Sequence, residues 1–162
     1  MFPDYTACPT NITSSIIKYF DCTAPHASLP ILDEILKRKQ YRNVILYLCD
    51  GLGTALVKEH LSEDSFLRKN FLTSLCSVFP STTTSATTSF LSGMEPCEHG
   101  WLGWDLYFEK EDKIVTMFRN NIKDTSIPAA DYDVAETTYP YKRIHEIINE
   151  TKKKSRNDTL SF

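Results

Sequence analysis

Asp50 and Thr83 are the two residues whose type and setting could do chemistry. Asp50 ends the apolar run Val44-Ile45-Leu46-Tyr47-Leu48-Cys49 and is followed by Gly51-Leu52-Gly53. A carboxylate at the end of a buried strand, with glycines leaving space beside it, suits a divalent cation. In open α/β sheets, ligands bind in the crevice beyond the strand ends. Asp is also a favoured helix N-cap, so position alone leaves both roles open. Thr83 lies in the hydroxyl-rich run Ser81-Thr82-Thr83-Thr84-Ser85-Ala86-Thr87-Thr88-Ser89, which follows a second apolar segment and opens a helix. Backbone N–H groups and the macrodipole at a helix N-terminus favour an anion such as phosphate. A hydroxyl there becomes a nucleophile when a metal lowers its pKa. Capping explains hydroxyls at the same place.

The order of segments adds information that neither residue carries alone. A run ending in Asp50-Gly51 is followed by Val78-Phe79-Pro80-Ser81-Thr82-Thr83, and then by Gly93-Met94-Glu95-Pro96-Cys97-Glu98-His99-Gly100. This ordered set resembles the alkaline phosphatase superfamily, and within it the nucleotide pyrophosphatase/phosphodiesterase group, over residues 25–120. The resemblance implies an α/β fold, a three-layer α/β/α sandwich with a mostly parallel sheet. It implies Thr83 as nucleophile, and Asp50 with Thr83 as ligands of one metal ion. The cofactors implied are divalent metal ions, zinc by family expectation, with manganese also suited to mixed Asp/His/Thr ligation. The reaction implied is hydrolysis of phosphodiester or nucleotide pyrophosphate bonds, with a phosphate ester or nucleotide as substrate.

Two departures qualify that pattern. Ala86 stands where the family has a phosphate-binding Asn, and the chain has no Asp-His dipeptide, which the family uses for metal further along. The sequence therefore reads as the N-terminal portion of such a catalytic domain over 25–162, preceded by an arm and short helix over 1–24. A truncated, catalytically inactive chain or binding remnant is the alternative. A sulfatase is disfavoured, since no Cys/Ser-x-Pro-x-Arg setting exists. A portion of a sheet would leave apolar faces uncovered, so the chain alone is expected to be prone to aggregate.

The elements needed to hold Asp50 and Thr83 follow from periodicity. Helices are predicted over 13–20, 29–39, 54–61, 63–71 and 83–92, the last closed by Gly93. Val44–Cys49 and Leu72–Phe79 are continuous apolar runs, which predicts strands buried on both faces of a parallel sheet. Trp104–Phe108 and Ile114–Phe118, flanking a charged stretch, predict a β-hairpin. Residues 120–138 read as a loop, and Pro140 opens a helix with Ile144, Ile147 and Ile148 on its apolar face. Thr159–Phe162 could begin another strand. His99 is read as a buried, hydrogen-bonded residue and not as a ligand. Trp101, Trp104, Tyr107 and Phe108 read as core or hairpin packing more readily than as a nucleobase platform.

Composition narrows the class. The chain of 162 residues is 41% hydrophobic and 24% charged, which fits one globular domain and not a disordered segment. A net charge of −3 argues against a partner such as a nucleic-acid duplex. No apolar run is long enough to span a membrane. The five cysteines, Cys8, Cys22, Cys49, Cys76 and Cys97, include no Cys-x-x-Cys pair, so neither a zinc-thiolate site nor a disulfide framework is expected. Cys49 and Cys76 read as small buried hydrophobes. Together with the lack of a secretory signal, this predicts a cytoplasmic location. The sequons at Asn11, Asn149 and Asn157 read as chance. The oligomeric state is left open.

Overall fold

Pro9 opens the first helix, α1 (Pro9–Tyr19), at a position where its missing N–H costs nothing. Asn11 Oδ1 accepts from the Cys8 N–H at 2.8 Å, and Asn11 Nδ2 donates to Ala27 O at 2.9 Å. Asn11 is thus fully buried and both ends of its amide are in use, which excludes it as a modification site in the folded chain. The computed structural model describes residues 3–159, with side chains through residue 153. Helix α1 begins at Pro9, four residues before the predicted 13–20.

α1 packs on α2 (Pro30–Leu36) and on α5 (Thr83–Ser92). Ile16 and Ile17 are buried, and so are Thr10, Thr13, Thr84, Ser85, Thr88 and Ser89. The Thr13 hydroxyl donates to Phe90 O at 2.7 Å, tying α1 to α5 across 77 residues of chain. Between them lie α3 (Thr54–His60) and α4 (Phe66–Lys69), neither of which buries a residue. Arg68 links these two short helices by donating to Lys58 O at 2.9 Å and Leu61 O at 3.1 Å.

A second cluster forms after α6 (Pro96–His99). β1 (Asp105–Phe108) pairs antiparallel with β2 (Lys113–Thr116), Asp105 facing Thr116 and Phe108 facing Lys113. β2 then pairs antiparallel with β3 (Asn121–Ile122). Trp101, Phe108, Val115, Met117, Ala129, Val134 and Ala135 form the core beneath this sheet. α7 (Val134–Thr138), capped by Asp133, closes the region predicted as loop, and α8 (Ile144–Thr159) follows. Thr159 ends that helix and does not start a strand; residues 160–162 lie outside those described. Among the described residues no helix is long and apolar enough to cross a membrane.

The expected α/β/α sandwich with a mostly parallel sheet is overturned. The chain has eight α-helices and one small antiparallel sheet of order β1-β2-β3 among the described residues. Val44–Cys49 and Leu72–Phe79 form no ladder. A parallel sheet is stable only with both faces covered, and the helices placed to cover these runs, α3 and α4, bury nothing. Ile45 is 87% exposed, Tyr47 84% and Leu72 56%. Cys49 is accordingly exposed and Cys76 half-buried, not the buried pair that the apolar setting predicts.

Candidate functional site

The structure brings Asp50 and Thr83 together. Thr83 Oγ1 donates to Asp50 Oδ2 at 3.4 Å, a long hydrogen bond near the surface. Thr83 is the first residue of α5. The residue before it, Thr82, is the N-cap, and its hydroxyl accepts from Ser85 N–H at 3.4 Å. The N–H groups of Thr83 and Thr84 have no acceptor among the described residues, as expected for the first turn of a helix. They remain open to an anion. Gly93 ends α5 in the left-handed region at φ 77°. A side chain there would press on Pro25 and Thr13 at 3.3 Å, so this glycine also permits the approach of α5 to α1.

Asp50 does not cap α3. That helix begins at Thr54, with Gly53 as its N-cap, so the capping role open to Asp50 in the sequence is not the one it has. Gly51 takes φ 70° and turns the chain directly after Asp50. A Cβ built at Gly51 or Gly53 meets nothing within 4 Å, so the space beside the carboxylate is real. Ala86, half-buried on the next turn of α5, offers only a methyl group and no hydrogen bond to an anion there.

Two oxygens from separate segments fit one side of a divalent cation's coordination shell, in which oxygen donors suit hard ions. Among the described residues no group of three or more His, Cys, Asp or Glu side chains gathers as a metal site. Asp50 and Thr83 thus fit a cation as a partial ligand set.

His99 has a structural place. It is 1% exposed, its Nδ1 accepts from Trp101 N–H at 3.0 Å, and its Nε2 lies 3.1 Å from Ser89 Oγ. The acceptor role of Nδ1 puts the proton on Nε2. Burial pushes the imidazole down to about 4, so the ring is neutral at pH 7. Trp101 is buried in the core, with Nε1 donating to Tyr139 O at 2.9 Å, whereas Trp104 and Tyr107 are exposed. One polar cluster carried no signal in the sequence. His26 Nε2 lies 2.6 Å from Glu98 Oε2, joining residues 72 apart, and His26 Nδ1 lies 3.6 Å from Glu95 Oε1. This contact clamps the 20s loop onto α6.

Comparison with family models, with curated proteins and with solved structures finds no match to this chain.

Proposed function

We propose that the chain supplies a nucleophilic threonine and a cation-binding carboxylate for metal-dependent hydrolysis of phosphodiester or nucleotide pyrophosphate bonds. The observation that carries this reading is the 3.4 Å contact between Thr83 Oγ1 and Asp50 Oδ2 at the N-terminus of α5. A divalent cation, zinc or manganese, supplies charge neutralisation and a lowered hydroxyl pKa when bound. Asp50 holds the cation's side of the site and orients the Thr83 hydroxyl by accepting its proton in a hydrogen bond. The open N–H groups of Thr83 and Thr84 bind phosphoryl oxygens and place phosphorus against Thr83 Oγ1. The hydroxyl gives its proton to solvent as its oxygen bonds to phosphorus. The bond to the leaving alkoxide (a phosphate, for a pyrophosphate) breaks, and that group takes up a proton from water. A second water later hydrolyses the threonyl phosphodiester, releasing a phosphate monoester and restoring the Thr83 hydroxyl.

A second reading belongs to a different class: a chain that keeps the Asp50–Thr83 pair but does not turn over. The lack of any three-residue acidic, His or Cys group among the described residues favours it. Binding separates neither reading from the other but tests the site itself. Water-proton relaxation with Mn²⁺ should show binding by the wild-type chain, and Asp50→Asn should weaken it about tenfold or more, because one charged ligand is lost. Equal relaxation by wild type and Asp50→Asn would remove the site. Turnover in the presence of Zn²⁺ or Mn²⁺ then separates enzyme from non-enzyme.

A further inference from the structure

The segment Asn43 to Cys49 is strung between two anchors. At its start the Tyr41 N–H donates to Tyr19 Oη at 2.5 Å, and Tyr19 Oη donates to Tyr41 O at 3.2 Å. At its end Asp50 accepts from Thr83. Between these points no backbone N–H or C=O of residues 43–49 has a hydrogen-bond partner among the described residues. Its residues 44–49 are six apolar residues in a row, with no charge and no proline and rich in β-favouring side chains. Unpaired backbone on such a run is a template for strand addition. Ile45 and Tyr47 are its most exposed side chains, at 87% and 84%.

The charges at its ends say which strand fits. Arg42 and Asp50 flank the run, and both are exposed. Arg42 has no ion-pair partner among the described residues. In an antiparallel pair centred on Leu46, residues opposite each other have numbers that add up to twice that of Leu46. Leu46 then faces its own copy, Ile45 faces Tyr47, Val44 faces Leu48, and Arg42 faces Asp50. The two-fold axis repeats each pairing, so two Arg–Asp pairs close the two ends of one short ribbon. A β-branched residue opposite an aromatic and opposite charges face to face are both favourable cross-strand pairs. Self-complementarity of this kind is what a two-fold interface requires.

From this geometry we infer that a second copy of this chain docks on residues 42–50, forming a symmetric antiparallel strand pair centred on Leu46. The pairing covers the backbone edge of the run and places Ile45 against Tyr47 on one face. The inference does not depend on the hydrolase reading, and its readout is mass and not activity.

The experiment is sedimentation velocity on the full chain over a wide concentration series, with Arg42→Asp, Asp50→Arg and an equimolar mixture of the two. Wild type should show a concentration-dependent monomer–dimer equilibrium. Each single variant sets like charges against each other at both ends, and should dimerise at least about tenfold more weakly. The mixture restores an Asp–Arg pair at both ends of a heterodimer, and should recover dimer that neither variant forms alone. Recovery also shows that both variants are folded. Tyr47→Lys, at an exposed position, should be monomeric throughout, and should melt with wild type at concentrations low enough that both are monomers. The inference is overturned by a wild type that stays monomeric, by larger aggregates indifferent to the charge changes, or by a mixture that stays as weak as its components. A foreign segment, and not a second copy, seated on residues 42–50 would appear as a wild type monomeric when pure, and would equally overturn it.

Discussion

Thr83 Oγ1 stands 3.4 Å from Asp50 Oδ2, linking the first turn of α5 to a residue 33 positions earlier that belongs to no helix or strand. The contact is long and near water, so although its acceptor is a carboxylate it adds only about 1 kcal/mol to stability. Alanine is also the better helix former by about half a kcal/mol. These effects nearly cancel, which lets chemistry and folding be separated at this position.

Thr83→Ala should therefore melt within about 1 kcal/mol of wild type. On the hydrolase reading the 162-residue chain hydrolyses a chromogenic phosphodiester with Zn²⁺ or Mn²⁺ and Thr83→Ala loses that rate; on the inactive reading the two proteins are equal. The described residues gather no group of three or more His, Cys, Asp or Glu side chains that could hold a second ion for activating water, which favours the inactive reading. Rates measured side by side decide this. A metal-dependent rate lost in Thr83→Ala would favour the enzyme reading over the inactive one.

His99 gives the fold a defined acid response. Its folded value of about 4 lies below the ordinary 6.5 because burial disfavours the charged ring. Between those two values the unfolded chain binds more protons than the folded one. Stability from this residue is complete above 6.5, falls as pH drops towards 4, and then levels off. The loss across that window should be about 3 kcal/mol. Urea unfolding at a series of pH values should show that slope in wild type and a much flatter one in His99→Gln. Equal slopes in the two proteins would mean that another group carries the acid response.

Gly100→Ala should be among the more damaging single changes. Gly100 has φ 73° as the C-cap of α6, and a Cβ there would lie 2.6 Å from Tyr139 Cδ1. Tyr139 is held in turn by its carbonyl, which accepts from the buried Trp101 indole. Left-handed strain and overpacking together should cost about 2–4 kcal/mol, read as a lowered melting temperature. A change below about 1 kcal/mol would show that Tyr139 swings away freely.

The features legible in the sequence were those with local causes. Thr82 and Gly93 bracket α5 at the predicted 83–92 because a cap hydroxyl and a left-handed glycine act within one turn. The hairpin formed by β1 and β2 was legible because its turn is short and charged. The parallel sheet failed for the opposite reason. An apolar run such as Val44–Cys49 expresses a preference for burial but names no partner, and strand pairing is decided by residues far away in sequence. The same applies at the candidate site. Asp50 and Thr83 could be read as candidates because each follows an apolar run and precedes a helix, whereas His26 and Glu98 meet across 72 residues with no local signal.

The unpaired run at residues 43–49 has one more consequence, for proteases. A protease binds its substrate as an extended strand, so in the monomer this backbone without hydrogen bonds, carrying exposed Tyr47 and Leu48, is where an enzyme that cuts after aromatic or large aliphatic residues should nick first. The cut would leave α1 on one fragment and α5 on the other. Ile16 and Ile17 are buried and the Thr13 hydroxyl holds Phe90 O at 2.7 Å across that divide, so the two pieces should stay together as a noncovalent complex until denaturant parts them.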